Sequence, residues 1–135
     1  MEKVQIKREI LEAIVRHAED EAPLECCGLL IGQGETITHH RPMKNVLESN
    51  VRYEMEAREL FQFFKNLRAA NQKHLGIYHS HPVSEAYPSE TDVRESFYPD
   101  CAYFIVSLKN PHSPLVRAFR LAGDGAEELV ISEVD

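Results

Sequence analysis

The sequence has no apolar run long enough to cross a bilayer, no proline- or glycine-rich tract, and no self-similarity at a period of about 20 to 50 residues. Those absences exclude a transmembrane helix, a low-complexity linker and a solenoid or propeller array. Cysteine is scarce as well: there are three, two of them the neighbours Cys26 and Cys27, too few for a disulfide framework. They read as buried, reduced thiols. The opening stretch "MEKVQIKREI" is charged from its second residue and lacks the basic-then-apolar grammar of a signal peptide, so the expected location is the cytoplasm. Basic charge is also short, with 15 Lys and Arg against 22 Asp and Glu for a net charge of -7. The basic residues are scattered rather than striped, which leaves no footing for a nucleic-acid backbone, and no membrane partner is expected either.

What is present is a normal apolar fraction, 43% of 135 residues, enough to enclose one core, and residues 1–135 are read as one domain. Ile6, Ile10, Leu11, Ile14, Val15 and Ala18 recur at helical spacing and predict an amphipathic helix from about residue 7 to 20, stopped before Pro23. "CCGLLIG" (26 to 32) suits a buried strand, and "ETITHHRPM" (35 to 43) returns beside it as a hairpin. "VRYEME" (51 to 56) alternates like a third strand, and "ARELFQFFKNLRAANQK" sets Leu60, Phe61, Phe64 and Leu67 along one face of a second helix. "LGIYHSHP" (75 to 82) is a strand halted by Pro82, and "SETDVRESF" is a short capped helix. Three strand-like runs follow: "AYFIVSL", "PLVRAFRLA" and "EELVIS". The expected class is α+β or α/β, a central mixed sheet with the two longer helices on its faces.

The chemistry collects in "YHSHPVSEAYPSETD" (78 to 92). Side chains on a strand alternate, so His79 and His81 point to one face with Ser80 opposed. The loop from Pro82 to Pro88 can return Asp92 to the same point. Two imidazoles and a carboxylate suit zinc, and three protein ligands rather than four leave a position open for water, the mark of a catalytic site. Ser89 and Asp92, spaced S-x-x-D, also read as a helix-capping box, and the two readings are compatible because a capped helix would hold Asp92 rigidly. A hydrolase of this kind needs a base near the metal but not coordinated to it, and Glu25, just ahead of the buried "CCGLLIG", is the candidate. Its bland alternative is a solvated strand end.

"PLECCGLLIG" followed some fifty residues later by "YHSHPVSEAYPSETD" resembles the JAMM (JAB/MPN) metalloproteases, above all their compact prokaryotic members, over nearly the whole chain. The resemblance implies an MPN/JAMM-like fold of cytidine-deaminase-like architecture, a β-sheet sandwiched by helices. It makes His79, His81 and Asp92 the ligands of one zinc ion (Zn2+) per chain, Glu25 the general base and Ser89 the oxyanion donor. It also implies hydrolysis of the peptide or isopeptide bond that follows the C-terminal Gly-Gly of a ubiquitin-like protein. The compact members are associated with sulfur-carrier proteins, from which one described role is the release of an amino acid such as cysteine.

Other classes stay in view. A non-catalytic MPN scaffold would bind partners without turnover, but such relatives generally lose ligands that this chain keeps. A general deubiquitinase-like protease is a further alternative, although 135 residues leave no room for linkage-selecting insertions. Two histidines and a carboxylate also hold iron in oxygenases, where nothing calls for Glu25. A RadC-like role would need a DNA footing that the acidic charge does not give. His17, His39, His40, His74 and His112 have no partner at ligand spacing and read as surface or satisfied positions. Tyr87 either lines a substrate groove or covers its own loop. The sequence leaves the oligomeric state and the individual carrier open.

Overall fold

Val4 and Ile6 alternate with polar neighbours, and in the computed structural model, which describes residues 2–135, Lys3–Lys7 forms a strand, β1. Ile6, expected on the stripe of the first helix, instead lies on this strand and is fully buried. The helix α1 (Arg8–Glu21) follows at once, with Ile10, Ile14 and Ala18 buried on one stripe. The Ala22 amide donates to the Ala18 carbonyl at 3.1 Å, and Pro23 then prevents a further turn. The remaining elements are β2 (Cys27–Gly32), β3 (Thr36–Ile37), β4 (His39–Met43), α2 (Ala57–Ala69), β5 (Lys73–His81), α3 (Glu90–Arg94), β6 (Ala102–Ser107), β7 (Leu115–Ala122) and β8 (Gly125–Val134).

Among the described residues the strands form one sheet in the order β3-β1-β8-β7-β6-β5-β2-β4. β1 runs parallel to β3 and β8, β5 runs parallel to β6, and the other pairs are antiparallel, which makes the sheet mixed as expected. β3 and β4 close opposite ends of that order, yet only Thr38 separates them in the chain. The sheet must therefore curl until its ends meet. α1 touches β1 near one end and β4 at the other, so it lies within the curve, against Ile6, Leu30, Ile37, Tyr78, Phe104 and Val106. α2 covers the opposite face, where Leu29, Ile77, Tyr103, Ile105 and Phe119 gather.

Two further local expectations need correction. Residues 51–56 form no strand: Tyr53 and Met55 do pack on the second core, which explains the alternation, but the backbone there bonds to the Asn45 side chain instead of a neighbouring strand. In α2 the buried aromatic is Phe63, which joins Leu67 on the core face, whereas Phe61 is 69% exposed. A run of three aromatics within four residues does not reveal its own phase, because any choice of stripe contains one.

Gly28, on β2, faces Tyr78 of β5 across the pair. A Cβ there would overlap the Tyr78 ring, whose hydroxyl in turn bonds Nδ1 of His17 on α1 at 2.8 Å. Glycine thus gives room for a ring that ties the sheet to the helix. Gly28→Ala is expected to lower unfolding free energy by about 1 to 3 kcal/mol through overpacking, read by urea denaturation. An unchanged midpoint would show that the ring does not need this space.

Candidate metal centre

Alternation along β5 turns Ile77, His79 and His81 toward the α2 side and leaves Tyr78 and Ser80 on the α1 side. The antiparallel register sets Cys27 opposite His79. Pairing continues one residue past β2, because the Ser80 amide donates to the Cys26 carbonyl at 3.1 Å and the Cys26 amide donates to Ser80 Oγ at 2.8 Å. The next residue back, Glu25, then falls opposite His81 on the same face, although 56 positions separate the two in the chain. Directly opposed residues of such a pair stand about 5 Å apart at Cβ.

The carboxylate arrives by another route. Beyond His81 the chain folds back, held by the Leu108 amide on the His81 carbonyl (3.0 Å) and by Ser107 Oγ donating to the Ser84 carbonyl (2.6 Å). Ser89 then caps α3: Ser89 Oγ accepts from the Asp92 amide at 3.0 Å, and the Ser89 amide donates to Asp92 Oδ2 at 2.9 Å. That reciprocal box aims Asp92 back at the histidines.

His79 Nε2, His81 Nε2 and Asp92 Oδ2 converge, separated by 3.1 Å between the imidazoles and by 3.2 and 3.0 Å from each imidazole to the carboxylate. A tetrahedron with bonds of about 2.0 to 2.1 Å has an edge of about 3.3 to 3.4 Å, so the triangle has the size that a zinc-type ion needs. The donor chemistry agrees, since two facing imidazole nitrogens can share one proton at most, and a cation satisfies both lone pairs and the carboxylate together. These residues fit a metal and form a group that can hold one.

Electrostatics point the same way. Burial by itself would raise Asp92, but the neighbouring His79 charge and hydrogen bonds from His79, His81 and the Ser89 amide hold its carboxyl well below the usual carboxylate range. Burial by itself would lower His81, yet hydrogen bonds to Asp92 and to the Glu85 carbonyl, with the charges of Asp92 and Glu25, raise it. Glu25 is 4% exposed, and its Oε1 has no hydrogen-bond partner among the described residues. Burial pushes its pKa up to about 7, against the opposing pull of His79 and His81. A group poised there can both take and give a proton near neutral pH.

Beside Asp92 opens a cleft of about 330 Å³ whose lining includes Tyr53, Met55, Leu60, Phe97 and Tyr98, with the Arg52–Glu95 ion pair (2.8 Å) at its edge. Tyr87 lies away from this lining: its ring meets Phe119 at 5.4 Å, with the Arg117 guanidinium 5.9 Å from its centroid. Burial pushes the Cys26 and Cys27 thiols up to about 12, which makes both inert at neutral pH. His17 is engaged by Tyr78, and His74 by Cys101, whose Sγ lies 3.6 Å from Nδ1. The five residues singled out in the sequence thus lie together or on the capped turn that delivers one of them. Sequence reasoning passed over Asn45 and Tyr53, which border the site and belong to no spaced motif.

Residues 7–122 match the family described as prokaryotic homologs of the JAB domain. The chain is 33% identical over 132 residues to the CysO-cysteine peptidase of Mycobacterium tuberculosis (strain ATCC 25618 / H37Rv), covering 96% of this chain and 90% of that protein. It is 35% identical over 103 residues to the desampylase of Haloferax volcanii, covering 71% and 74% respectively. The solution structure of protein DSY2949 from Desulfitobacterium hafniense superposes with a TM-score of 0.86 at 32% identity, covering 98% of this chain and 93% of that one. No helix among the described residues is long and apolar enough to cross a membrane.

The raised Glu25 pKa has a stability consequence. The folded chain holds this proton more tightly than the unfolded one, so stability falls as pH rises from about 4.5 through about 7. In metal-free protein, Glu25→Gln is expected to flatten that decline and to gain up to about 3 kcal/mol over the wild type at pH 8. Urea titrations of both chains at pH 5 and pH 8 measure it, and a gain of equal size at both values would refute the assignment.

Proposed function

The chain belongs to the family of prokaryotic homologs of the JAB domain, and on that premise we propose that it is a zinc-dependent peptidase acting on ubiquitin-like sulfur-carrier proteins. Its bond of choice follows the carrier's C-terminal Gly-Gly, releasing cysteine or a short extension. The observation that carries this reading is the meeting of His79 Nε2, His81 Nε2 and Asp92 Oδ2 beside the buried carboxyl of Glu25. The relative named CysO-cysteine peptidase supports the substrate class. Glycine at both positions before the scissile bond suits a narrow approach, since only a residue without a side chain clears close walls.

His79, His81 and Asp92 would hold the ion, and zinc there would supply Lewis-acid polarisation of a carbonyl and a lowered pKa for an attacking water. Glu25 would take a proton from the attacking water on its carboxylate and pass it to the departing amine nitrogen. Its position off the ligand triangle and its raised pKa suit both halves of the transfer. Ser89 Oγ already accepts the Asp92 amide, which leaves its own proton free to donate to the carbonyl oxygen as charge builds there. No covalent step on the protein is needed.

Purified protein incubated with ubiquitin-like carriers extended past Gly-Gly, with and without chelator, tests the proposal by product mass. Trimming at Gly-Gly that the chelator abolishes is expected, and untouched carriers throughout would refute the reading. Glu25→Gln should retain metal while turnover falls by about 10² to 10⁴. Ser89→Ala should slow the single-turnover step by about 10² to 10³. It should also lose about 1 kcal/mol of stability, because the same oxygen caps α3. Elemental analysis should find metal lost from His79→Ala and Asp92→Ala, and full occupancy in either would remove that residue from the ligand set.

A further inference from the structure

The two imidazoles of the centre are held in different ways. His81 has its second nitrogen engaged, Nδ1 lying 2.7 Å from the Glu85 carbonyl, the usual device by which a protein fixes the tautomer and tilt of a ligating histidine. His79 Nδ1 is buried and has no hydrogen-bond partner among the described residues. Instead, the face of its ring lies against Tyr53, with centroids 4.6 Å apart and planes inclined by 26°. That is an offset stack, which restrains the tilt of the imidazole as a hydrogen bond would restrain its spin.

Tyr53 needs holding in turn, because it sits in a segment without regular secondary structure. Asn45, 8% exposed, does this with one side chain. Its Nδ2 donates to the Arg52 carbonyl at 2.9 Å and its Oδ1 accepts the Glu54 amide at 3.2 Å, so the bonded groups belong to the residues on either side of Tyr53. The same Nδ2 donates to the Glu25 carbonyl at 3.1 Å, and the Val46 amide adds a bond to the Glu54 carbonyl at 3.0 Å. One buried amide thereby registers the tyrosine against the segment that carries Glu25 into β2.

We propose that Tyr53 is a positioning residue of the metal centre, its ring face orienting the His79 imidazole in place of the hydrogen bond that His81 receives, with Asn45 as its mount. This rests on the reading of His79, His81 and Asp92 as ligands. Tyr53→Phe keeps the stacking face and Tyr53→Leu removes it while leaving an apolar side chain. Asn45→Asp keeps the acceptor for the Glu54 amide but loses the donor to Arg52 and Glu25.

Zinc affinity of the wild type and the three variants, measured by competition with a chromophoric chelator below each chain's melting transition, provides the test. Tyr53→Phe should bind as the wild type does, while Tyr53→Leu weakens binding by about 10- to 100-fold. Asn45→Asp should fall between them. Melting of the metal-free chains is recorded in parallel, and Tyr53→Leu should lose affinity while still folded. Equal affinity of Tyr53→Leu and the wild type would overturn the inference and leave the ligand set standing. An equal loss in Tyr53→Phe and Tyr53→Leu would overturn it too, by placing the effect on the hydroxyl. Failure of the wild type to take up zinc would overturn the ligand reading and this inference together.

Discussion

The antiparallel register between β2 and β5 is the constraint on which the site depends. A shift of one residue would send His79 and His81 into the α1 core and bring Tyr78 and Ser80 to the opposite face. Tyr78 beneath Gly28 and the two hydrogen bonds between Ser80 and Cys26 hold the register on the side away from the chemistry. The reactive face can therefore carry polar groups that contribute little to specifying the fold, because the apolar face does that work.

Asp92 joins this strand pair through a different economy. Its Oδ2 accepts the Ser89 amide that begins α3 while also facing both imidazoles. A helix of five residues is far too short to be stable alone. Its start is tied instead to the same acid that completes the triangle, so the order of the turn and the order of the centre are linked.

Much of this was legible in the sequence for a physical reason. Strand alternation and capping are local rules, and the histidines, Ser89 and Asp92 lie within fourteen residues of one another, so their geometry follows from short-range structure. Glu25 was reachable because a charge beside a buried run needs a partner. Asn45 and Tyr53 were not, since their roles arise from long-range placement: an amide wedged between two irregular segments and a ring laid on a distant imidazole leave no periodic trace. β1 escaped the sequence reading because Ile6 falls at helical spacing with Ile10 and Ile14 and was counted on that stripe, although Val4 and Ile6 alternate correctly, and the 51–56 segment was misread because burial alternates there without a ladder. Phe61 and Phe63 show the limit of phase assignment in an aromatic cluster.

The place of β1 in the sheet bears on how the molecule is made. It lies between β3 and β8, with Lys3 aligned to Val130 and Lys7 to Val134, so two segments far apart in the chain are spliced side by side. The curled sheet cannot be completed until β8 has found both β1 and β7. Such distant pairing is entropically slow to find. Until β8 is in place the β1–β3 pair has no link to β7, and the curled sheet stays open along that seam.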